Sequence, residues 1–101
     1  MIIRQGDVLL RRVADIEVDL EGPRAVVLAV GEESGHQHVL KGVEFQSGGR
    51  RLIQVGDNAQ MVVAPETMAW RHAPIDVPPG TYEVIIEREY VAPAVERRVE
   101  D

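Results

Sequence analysis

The chain contains no cysteine. Disulfides and thiolate metal ligands are therefore excluded. Its only lysine is Lys41, so phosphate binding or Schiff-base chemistry through lysine would rest on that one residue. Aromatic residues make up 4% of the sequence, too few for an obvious base-stacking platform. The longest apolar run, Ala25 to Val30, is six residues, where a membrane helix needs about 20. There is no Gly-x-Gly-x-x-Gly and no phosphate loop. Ser34 lies outside any Gly-x-Ser-x-Gly elbow and reads as a turn residue. The opening Met-Ile-Ile-Arg-Gln-Gly-Asp has no secretory pattern, and a cytoplasmic location is expected.

Charge narrows the partners further. Seventeen acidic side chains against eleven basic ones give a formal net charge of -6. That sign repels phosphate backbones at long range, so nucleic acid is an unlikely partner. The arginine pairs Arg11-Arg12, Arg50-Arg51 and Arg97-Arg98 are scattered and lie near acids, and they read as solvated surface.

What is present is a β pattern. Short runs rich in Val and Ile are bounded by Gly, Pro, Asp and Asn. Strands are expected over Val8 to Val13, Ala25 to Val30, His36 to Leu40, Val43 to Gln46, Arg51 to Val55, Met61 to Ala64, Met68 to His72 and Thr81 to Val91. Ala14 to Pro23 reads as an acid-rich loop in which Ile16, Val18 and Leu20 alternate as an edge strand would. Ser47-Gly48-Gly49-Arg50 is the clearest hairpin turn, because glycine permits positive φ. Asp7 and Asp57 follow glycines and read as turn residues, and Val77-Pro78-Pro79-Gly80 as a rigid connection. The expected fold is all-β: a small single-domain barrel or sandwich of about seven to eight short strands over residues 1–91, with a charged tail at 92–101. The expected core comprises Val8, Leu10, Val27, Leu28, Phe45, Ile53, Val62, Tyr82, Val84 and Ile86.

The chemistry-bearing residues are the three histidines. They fall in Gly-Glu-Glu-Ser-Gly-His-Gln-His, Gly31 to His38, and Trp-Arg-His-Ala-Pro, Trp70 to Pro74. In an extended strand His36 and His38 share a face. If the fold brings His72 to them, three imidazoles can bind zinc, iron or nickel and leave a position open. Glu32, Glu33, Glu44 or Glu66 can add a carboxylate, and Glu44 fits best because its even spacing from His38 suggests the same face. Two other readings stay open: a metal-free polar pocket for a small ligand, and ordinary turn and surface histidines.

The segment Gly31, His36, His38, Glu44 and Gly48 resembles the first cupin motif, and Val62-Val63-Ala64-Pro65 leading to His72 resembles the second. That resemblance implies a double-stranded β-helix with metal on His36, His38, Glu44 and His72. A second resemblance spans most of residues 4 to 90 and includes the Glu-Arg-Glu-Tyr that ends at Tyr90. Arg-Gln-Gly-Asp-Val-Leu-Leu, Gly-Glu-Glu-Ser-Gly-His-Gln-His and His-Ala-Pro-Ile-Asp-Val-Pro-Pro-Gly-Thr-Tyr-Glu-Val are similar to a group of small uncharacterised bacterial and phage-associated proteins. It implies no activity, and it adds a virion-associated location as an alternative. A reading from another class follows: a structural or interaction module that forms homo-oligomers by edge pairing, with Trp70 or Tyr90 anchoring the interface.

Overall fold

The computed structural model describes residues 1–16, 22–31, 35–65, 67 and 72–87. It is all-strand. Eight strands run in the order β1 (Ile2–Gln5), β2 (Val8–Val13), β3 (Arg24–Val30), β4 (Gln37–Ser47), β5 (Arg50–Val55), β6 (Ala59–Ala64), β7 (Ile75–Val77) and β8 (Gly80–Ile86). Their hydrogen-bonded order is β1-β2-β8-β5-β4-β6-β7, with β3 paired to β4 beside this path. Every pairing is antiparallel. The sheet curls into a nearly closed barrel.

Turn chemistry sets the registers at two hairpins. Gln5 pairs with Val8 across Gly6-Asp7, with Gly6 at φ 59°; glycine first in a two-residue loop is the II′ preference. Ser47 pairs with Arg50 across Gly48 and Gly49, at φ 58° and 75°, as the sequence suggests.

β4 is the strand on which the barrel turns. Its first part pairs with β3 through Gly42 and with β6 through Val39, while Val43 to Ser47 pairs with β5. At Gly42 the two strands approach so closely that a Cβ would lie 2.6 Å from the Gln54 carbonyl oxygen and 2.9 Å from Ile53. On one side of this crossing His38, Leu40 and Gly42 point inward, and on the other Glu44 and Gln46 are exposed.

The core gathers Val8, Leu10, Val26, Leu28, Leu40, Ile53, Val55, Met61, Val77, Tyr82 and Val84. Full burial of each such side chain stabilises by about 1.5–3 kcal/mol. Tyr82 reconciles its hydroxyl with complete burial by donating to the Pro78 carbonyl at 2.7 Å. Four expected core positions differ. Val27 is 43% exposed and Ile86 36%, while Phe45 and Val62 are half-buried. Alternation cannot bury Val27 and Leu28 together, and Val26 and Leu28 take the inward face. Ile86 is the last residue of β8.

β1 and β7 are strands where none was expected. The expected strand at Met68 to His72 is not seen at His72, and Met68 to Arg71 lie outside the described residues, as do the possible edge strand from Glu17 onward and the end of the Thr81 to Val91 run beyond Glu87. The 92–101 tail, Trp70 and Tyr90 also lie outside them. No helix among the described residues is long and apolar enough to cross a membrane.

Candidate metal centre

Three elements bring the histidines together. His38 projects inward from β4, whose alternation makes it fully buried. His36 lies one residue before β4, equally buried, and its carbonyl accepts a 2.7 Å bond from the Gly31 amide at the end of β3. His72 is half-buried in the connection between β6 and β7. One ligand nitrogen from each residue lies within 4.8 Å of the others. The ring centroids of His36 and His38 are 5.1 Å apart, of His38 and His72 5.3 Å, and of His36 and His72 5.8 Å.

The β1–β2 turn forms the floor of this cluster. A Cβ on Gly6 would lie 2.9 Å from His72 Nε2 and 3.1 Å from His38 Cε1. Glycine is thus required both by the left-handed backbone and by the space the imidazoles fill. On either side of it stand two buried polar residues, Gln5 and Asp7. The Gln5 amide nitrogen donates to the carbonyls of Met61 at 3.0 Å and Ala73 at 2.8 Å. Its oxygen lies 2.9 Å from His38 Nδ1. Asp7 occupies the turn that the sequence suggested, but its carboxylate is turned inward rather than into solvent.

The arrangement suits a transition metal. Tetrahedral coordination with metal–nitrogen bonds of about 2.0–2.1 Å puts ligand nitrogens roughly 3.4 Å apart. A pair at the 4.8 Å limit needs to close by roughly 1.4 Å on that basis. His72 is the one of the three that is not fully buried. Among the described residues the cluster offers three imidazole nitrogens, a donor set that suits zinc, iron and nickel.

Glu44 does not join the group. It is exposed on the far side of the Gly42 crossing, where it pairs with Arg51. Even spacing along β4 predicts a shared face only while the strand keeps its twist and partners, and β4 changes partners between His38 and Glu44. The four-ligand set implied by the cupin resemblance is therefore reduced to its three histidines. Glu32, Glu33 and Glu66 lie outside the described residues. Gln5 and Gly6 were missed as site residues because their role depends on contact with His38 and His72, far along the chain, which no local pattern encodes.

The chain belongs to the family described as Domain of unknown function (DUF8820), which matches residues 4–87. No curated protein and no solved structure matches it.

Proposed function

We propose that this member of the family binds a divalent transition metal, of the zinc, iron or nickel class, on His36, His38 and His72. The observation that carries the reading is the convergence of three imidazole nitrogens within 4.8 Å in a buried cluster. The Cβ space at Gly6, already filled by imidazole, gives the same picture from the backbone side.

A bound metal would supply Lewis acidity and, with three protein ligands, a coordination position for water or a small polar ligand. The chain's own residues would do the rest. His36 and His38 would contribute two fully buried imidazoles and His72 a third from the β6–β7 connection, while the β1–β2 turn limits the space beside His38 and His72.

The test is metal analysis of untagged protein together with thermal melts. Stoichiometric metal is expected. Zinc at a hundred times its dissociation constant should add about 2.7 kcal/mol of stability, a rise in Tm on the order of 10 °C for a domain of this size. His36→Ala should abolish both effects. Metal-poor protein whose Tm does not respond to zinc or nickel would refute the reading.

A second reading is an interaction module that self-associates. Its support is β3, which among the described strands pairs only with β4 and exposes Val27 and Val30 at 43% and 48%. Light scattering should then report a defined oligomer that Val30→Lys dissociates and His36→Ala leaves intact.

A further inference from the structure

We infer that Gln5 is a positioning residue for the histidine cluster: its side-chain amide fixes His38 as the Nδ1–H tautomer and so presents Nε2 to the site. The metal consequence rests on the proposed metal-binding reading, whereas the tautomer itself does not.

The argument begins with the amide's orientation. A carbonyl oxygen only accepts hydrogen bonds. The nitrogen end of Gln5 lies 3.0 Å from one backbone carbonyl and 2.8 Å from another. Reversing the amide would set its oxygen against both, so the network fixes which end is which. Both N–H groups are thereby committed to Met61 and Ala73. The remaining end is an oxygen, an acceptor only, 2.9 Å from His38 Nδ1. That nitrogen must carry the proton.

The neutral ring then has its lone pair on Nε2, which is buried and is the nitrogen His38 can contribute to the cluster. Neutral imidazole in water favours the opposite tautomer, with the proton on Nε2 and no lone pair there for a metal. Gln5 removes that competition. A hydrogen bond from the distal ring nitrogen is how metal-ligating histidines are commonly oriented.

Gln5 also acts on a second ligand through the backbone. One of its acceptors, Ala73 O, belongs to the residue after His72. A single amide thus holds one ligand by its ring and anchors the connection that carries another.

Long-range proton–nitrogen correlation spectra of the metal-free, uniformly labelled chain at pH 8 test this directly. Wild-type His38 should show a protonated Nδ1 and an unprotonated Nε2, and in Gln5→Ala the Nε2–H form should gain population. Zinc affinity, read by competition with a chromophoric chelator, should fall about 10–100-fold in Gln5→Ala. An Nε2–H tautomer for His38 in the wild-type chain overturns the inference, and that spectrum needs no variant to fold. Wild-type protein that binds no zinc yet shows the Nδ1–H form overturns the metal reading and supports Gln5 as the residue that orients His38.

Discussion

At the scale of single residues, Gly6 is the glycine that joins a backbone constraint to the histidine cluster. Its φ of 59° and the imidazoles in front of it impose two separate constraints. Gly49, at φ 75° with nothing within 4 Å of an added Cβ, carries only the first. The pair separates backbone cost from site cost. Gly49→Ala should lower stability by about 1–2 kcal/mol, the penalty of a left-handed L-residue, with zinc affinity unchanged. Gly6→Ala should lower stability at least as much and also weaken zinc binding about tenfold or more, because the methyl presses on His72 and His38. Urea unfolding and chelator competition on both variants check this. Equal zinc affinities would mean that the floor of the cluster yields without moving its ligands.

At the scale of elements, the crossing of β4 and β5 holds the two halves of the barrel together. Gly42→Val places a branched side chain where a single Cβ would already be 2.6 Å from a backbone oxygen. Overpacking of this kind costs about 1–3 kcal/mol, visible as a lower urea midpoint. The same crossing marks the boundary of what the sequence reveals. The shared side of His36 and His38 was legible because it concerns neighbours on one short stretch, whereas their complete burial was not. The Ser47-Gly48-Gly49-Arg50 hairpin was legible because glycine states its φ preference locally. Glu44 was misplaced because nothing in the spacing signals a change of strand partners. β1 and β7 were missed because four and three residues are too few to show a period. β3 adds a bulge between Val27 and Ala29, stabilised by Arg51, whose guanidinium donates to Leu28 O at 2.7 Å and Val27 O at 3.0 Å. Arg51→Ala should therefore loosen β3 specifically, raising amide exchange there while β2 and β8 stay protected.

At the scale of the whole molecule, the expected surface role of the arginine pairs takes a definite form. Arg11 and Arg50 both reach Glu83 across neighbouring strands, and Arg51 serves Glu44 and the bulge. Exposed pairs of this kind contribute at most about 1 kcal/mol each, so salt should change the melting temperature little. The meeting of the histidines is also a property of the whole. It requires the connection after β6 to return to β4 and the β1–β2 turn to lie beneath both, a closure that only the complete set of strands creates.

That closure has a consequence for the order in which the protein comes apart. β1 and β7 stand at the two ends of the strand path, and the Gln5 side chain, not a backbone ladder, ties β1 to β6 and the approach to β7. Among the described residues this junction has no backbone ladder, and it opens at lower free energy than the ladders of β2, β8, β5 and β4. Native-state hydrogen exchange should find β1 and β7 releasing together as the least protected unit, well below global unfolding. Zinc held as proposed by His36 and His38 on the β4 side and His72 on the β6–β7 connection would slow exchange in that unit first, turning the protein's weakest zone into a gauge of occupancy.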